Sequence, residues 1–80
     1  MINKFLVIQF QKEYKEEILT DLIMSILKNL YHRGYNFYLD NLLISKNRYY
    51  FIFVCDIKDS KTLINTISDY IKINEYYFVY

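Results

Sequence analysis

The sequence predicts an α+β domain: a four-stranded antiparallel sheet with two helices on one face, in the order βαββαβ. Three observations carry this. Two segments repeat apolar residues at three- and four-residue spacing. Four others are short runs of β-branched, aliphatic and aromatic residues. The sole glycine of the 80 residues falls just past the first helical segment.

Asn3 to Phe10 reads as the first strand, with Leu6, Ile8 and Phe10 inward and Phe5, Val7 and Gln9 outward. From Tyr14 to about Arg33, the residues Ile18, Leu19, Leu22, Ile23, Ile26, Leu27 and Leu30 form the stripe of an amphipathic helix. Glu13, Glu16 and Glu17 lie near its start and Lys28, His32 and Arg33 near its end, as the helix dipole favours. Gly34 stands where a left-handed residue ends a helix. Phe37 to Ser45 and Arg48 to Asp56 make a hairpin around Lys46-Asn47, with Asn47 a candidate for positive φ. Asp59 or Ser60 is expected to cap a second helix whose inner face carries Leu63, Ile64, Ile67, Tyr70 and Ile71. Glu75 to Tyr80 is the last strand.

This is the element order of the split βαβ, ferredoxin-like arrangement, read as one domain over residues 1–80. That arrangement centres the first and third strands, the most apolar ones here.

Strand parity then yields a surface. A two- or four-residue hairpin loop pairs Ser45 with Arg48, Ile44 with Tyr49, Leu42 with Phe51 and Asp40 with Phe53, whereas a three-residue loop would exchange the hairpin faces. The largely aliphatic set Leu39, Leu43, Tyr50, Ile52 and Val54 is expected under the helices. Phe5, Val7, Leu42, Ile44, Tyr49, Phe51, Phe53 and Tyr77 are expected on the open face as an interaction surface, with Val79 beside Tyr77. Such a patch exposes roughly 500–800 Å², above the ~300–600 Å² that monomers usually tolerate. A homodimer or a protein partner is the expected occupant.

Composition restricts the function classes. Ten Lys+Arg against nine Asp+Glu leave a net charge of +1, which lacks the basic signature of a dedicated nucleic-acid binder. One cysteine, Cys55, allows no internal disulfide, and its apolar strand implies an inert thiol. Phe5-Leu6-Val7-Ile8 is too short for a signal core, and no run approaches the ~20 apolar residues of a membrane span, so a cytoplasmic location without membrane contact is expected. Alanine and proline are absent while Ile, Tyr, Lys and Asn abound, the bias of an AT-rich genome such as a low-GC bacterium, its mobile elements or an archaeal virus.

No catalytic constellation is legible, and neither a metal nor a cofactor is expected. Asp40, Asp56 and Asp59 are scattered, Asp56 and Asp59 being suited to strand-end and capping positions. Small CRISPR-adaptation nucleases share the fold but carry an Asp near the end of the first strand, where this chain reads Ile8-Gln9-Phe10-Gln11. Acylphosphatases place an Arg in a glycine-containing loop that here is Gln11-Lys12-Glu13. His32 is the sole histidine and reads as a helix-terminal cation. The aromatics of Arg48-Tyr49-Tyr50-Phe51-Ile52 resemble the stacking strand of RNA-recognition motifs but lack its two small residues. Binding of single-stranded RNA or DNA by these aromatics is therefore the alternative reading. The favoured one is a non-catalytic protein-binding module of a phage, virus or other mobile element. By analogy of size with anti-CRISPR proteins, it would inhibit a host defence protein by steric occlusion in the host cytoplasm.

Overall fold

The computed structural model describes residues 3–11 and 13–79. Its elements are β1 (Asn3–Gln11), α1 (Glu16–His32), β2 (Tyr38–Ile44), β3 (Arg48–Asp56), α2 (Ile57–Ser68) and β4 (Glu75–Val79). The strands form one antiparallel sheet in the order β2-β3-β1-β4, which is the ferredoxin-like fold, with β1 and β3 central.

The core lies between sheet and helices. Leu6, Ile8 and Phe10 of β1 meet Leu19, Ile23, Ile26, Leu27 and Leu30 of α1 and Leu63 and Ile67 of α2 in one apolar cluster. Ile18, expected in the helical stripe, is exposed on α1, and Tyr70 lies beyond the end of α2 with its ring in solvent.

The end of α1 follows from Gly34. Its φ of 95° lets the chain reverse, so that Gly34 N–H donates to the Tyr31 carbonyl and Tyr35 N–H to the Leu30 carbonyl. No atom lies within 4 Å of the place a Cβ would take, so backbone strain alone opposes a side chain there. Gly34→Ala is expected to destabilise the domain by about 1 kcal/mol, read from a urea midpoint that shifts at constant slope.

Two local devices differ from expectation. Asn47 does not adopt positive φ; no non-glycine residue among those described does. The β2–β3 turn is closed instead by Ser45, whose N–H donates to the Arg48 carbonyl while its Oγ accepts from Arg48 N–H at 3.1 Å. The α2 cap is Asp56, not Asp59 or Ser60: its Oδ1 accepts from Lys58 N–H at 3.3 Å. The last residue of β3 thus starts the next helix, leaving no loop between them.

Candidate functional site: the open face of the sheet

Cross-strand partners point to one side of a sheet, so the register assigns the faces. Leu6 faces Phe53, Ile8 faces Phe51 and Phe10 faces Tyr49. Because Leu6, Ile8 and Phe10 pack under the helices, Tyr49, Phe51 and Phe53 must do so too. Phe51 and Phe53 are fully buried; Phe10 meets Phe51 edge-on at 5.5 Å, and Phe51 and Phe53 stack at 6.3 Å. Tyr49 is buried as well, its hydroxyl donating to the Tyr14 carbonyl at 3.2 Å.

This corrects the expected surface. The pairings Ile44–Tyr49 and Leu42–Phe51 are present, but the shared face is the helix side. Tyr49, Phe51, Phe53, Leu42 and Ile44 therefore do not belong to the open face. The reason lies in register: β1 buries Leu6, Ile8 and Phe10, and their direct partners on β3 are Phe53, Phe51 and Tyr49, so the intervening Tyr50, Ile52 and Val54 are left outside. Leu39, paired with Phe53, does lie on the helix side as expected. Leu43, Tyr50, Ile52 and Val54 lie on the open face. A register shift between Leu39 and Asn41 leaves Asp40 as the extra residue of a bulge, so Asp40 does not pair with Phe53.

The open face consists of rows running across the strands. One row carries Tyr38, Val54, Phe5 and Val79, and the next Asn41, Ile52, Val7 and Tyr77. The third carries Leu43, Tyr50, Gln9 and Glu75, and Arg48 and Gln11 end the sheet. Phe5, Val7 and Tyr77 stand where the sequence places them, although Val7, between Ile52 and Tyr77 on a central strand, is buried by its neighbours.

The face is segregated along the strands. At the Gln9 end the polar groups satisfy one another: Gln9 Oε1 accepts from Arg48 Nε at 3.0 Å and from Asn74 Nδ2 at 2.6 Å, while Asn74 N–H donates to the Gln9 carbonyl. Over the rest of the face most side chains are apolar, although Leu43 shares the Gln9 row, Asn41 stands in the next one and Asp56 closes the far end of β3. Tyr38 is 60% exposed, Leu43 50%, Val79 43%, Phe5 42% and Tyr77 41%. These five leave on the order of 500 Å² unburied, and the half-buried Tyr50, Ile52 and Val54 between them bring the patch to roughly 600 Å².

The remaining candidates do not converge. Among the described residues no three of His, Cys, Asp and Glu are placed to hold a metal. His32 is exposed at the end of α1, whereas Cys55 is buried in β3. Burial, with the charges of Asp56 and Asp59 behind it, pushes the Cys55 thiol up to about 11, the opposite of an activated nucleophile. No described helix is long and apolar enough to cross a membrane. Comparison with protein-family models, curated proteins and solved structures finds no match to the chain.

Proposed function

We propose that this chain is a non-catalytic protein-binding module whose contact surface is the open face of its sheet. What supports the reading is the exposed set Phe5, Tyr38, Leu43, Tyr77 and Val79, contributed by three strands and continuous across the half-buried Tyr50, Ile52 and Val54. Leaving such a patch in water forgoes the hydrophobic gain of covering it, and at roughly 600 Å² it stands at the upper end of what monomers carry, where such patches are often functional. Tyrosines suit the role because each brings a large area with few rotatable bonds. An inhibitor of this kind would act by occupying a surface of its target, with no chemistry required.

Nucleic-acid stacking has less support on this geometry. Of the rings that reading names, Tyr49, Phe51 and Phe53 are buried and Tyr50 is half-buried, which leaves Phe5 as the exposed one. Arg48, the cation of the open face, is engaged with Gln9 and the Asn47 carbonyl. A phosphate backbone would find little to neutralise it there.

A photocrosslinking amino acid tests the reading in cells that naturally produce the chain. Placed at Tyr38 or Tyr77 it should give adducts with polypeptide. At Tyr31 on α1 or Tyr70 beyond α2, both well exposed on the helical side, it should give few. Equal crosslinking from all four positions, or adducts with nucleic acid alone, would overturn it.

A further inference from the structure

We infer that the occupant of the open face is a second copy of this chain, stacked sheet to sheet with the apolar halves against each other. This rests on the binding role proposed for that face and names its partner. The first argument is area. Two patches of roughly 600 Å² bury about 1,200 Å² together, above the ~1,000 Å² that a specific interface needs and at the low end of the usual range. The second is charge. At a net charge of +1 two copies scarcely repel. The strand residues of the face offer a charged partner little to recognise, since Arg48 already bonds to Gln9, Asp56 is engaged in capping α2 and Glu75 lies on the edge strand β4.

The third argument is segregation, and it selects the geometry. A two-fold axis along the strands, midway between the sheets, lays β3 of one protomer over β1 of the other. Each row then meets its own copy. Tyr38, Val54, Phe5 and Val79 stack on Phe5, Val54 and their neighbours in the second protomer, in a dry layer about 10 Å thick. The Gln9–Arg48–Asn74 cluster stays at the rim with its hydrogen bonds intact. A two-fold axis perpendicular to the strands would instead lay each strand, reversed, over its own copy, pressing Phe5 and Val79 onto Gln9 and Glu75, and is disfavoured.

Sedimentation equilibrium on the full chain, from about 1 to 100 µM where a modest interface dissociates, decides the matter. The expected mass at the upper end is twice the 9.9 kDa of one chain. Tyr38→Glu and Phe5→Glu, in the apolar half, should each raise the dimer Kd at least about tenfold. Arg48→Gln and Glu75→Gln, at the polar end, should change it less than about threefold. Circular dichroism establishes that each variant is folded, and Tyr38, on an edge strand, tolerates the change even if Phe5 does not. A monomer at every concentration overturns the inference, as does a dimer weakened only by the polar-end variants. Should the monomer still crosslink to other polypeptides through Tyr38 and Tyr77, the binding role stands and the second copy is refuted. Should it crosslink to none, both fail.

Discussion

Phe51→Glu is expected to unfold the domain, whereas Ile52→Glu, one residue further along the same strand, should leave it folded. Phe51 is fully buried in a central strand, opposite Ile8 and in ring contact with Phe10 and Phe53. Removing the ring alone sacrifices about 3–5 kcal/mol, and a carboxylate left there without a partner adds several more or must take up a proton. An 80-residue domain has in all about 4–12 kcal/mol of stability. Ile52 lies on the open face, only half-buried, and a charge there reaches water at a loss of about 1 kcal/mol. Far-ultraviolet circular dichroism and urea titration of the two variants at low concentration separate them. Ile52→Glu proving the more disruptive would mean that the faces are reversed.

The second large effect concerns alkaline pH. Burial, then the nearby charges of Asp56 and Asp59, raise the Cys55 thiol from 9.0 to about 11. The folded chain therefore keeps its proton in a range where the unfolded chain has released it, so the unfolded state binds fewer protons and stability falls as pH rises. The contribution is fully present below pH 9 and is lost between 9 and about 11, on the order of 2 kcal/mol in all. The measurement is a difference between two chains: Cys55→Ala should show a shallower decline than the parent chain. Parallel slopes would contradict the assignment. For the same reason the native thiol should react with aromatic disulfide reagents at pH 8 far more slowly than the urea-unfolded one.

Much of the architecture was legible because each element carries its own signal. The strand Arg48–Asp56 and the reversal at Gly34 follow from local chemistry, and the alternation of β1 shows which of its sides is buried. The face of β3 was harder, because both of its sides are apolar and hydrophobicity alone does not choose between them. A cue was nonetheless present. Arg48, Tyr50, Ile52, Val54 and Asp56 share one parity and Tyr49, Phe51, Phe53 and Cys55 the other. Two charges bracket the first set, and the second ends in a thiol suited to burial, so the outward side is the one with the charged ends. The Asp40 bulge had no comparable signature, and Asp56, suited to a strand end or a cap, turns out to serve as both. The bulge depends on how β2 registers against β3, which is a tertiary fact.

The irregularity at Asp40 also determines how far the sheet could grow sideways. Endless lateral addition of molecules needs two compatible margins, one to accept and one to donate. The β4 strand pairs without a register shift, but the β2 margin is broken by an extra acidic residue, which spoils the ladder that a newcomer would copy. Molecules that meet through their β4 margins are both left with their β2 margins outward. Edge-wise growth past a pair is therefore disfavoured, because the β2 margin makes a poor template for a further strand.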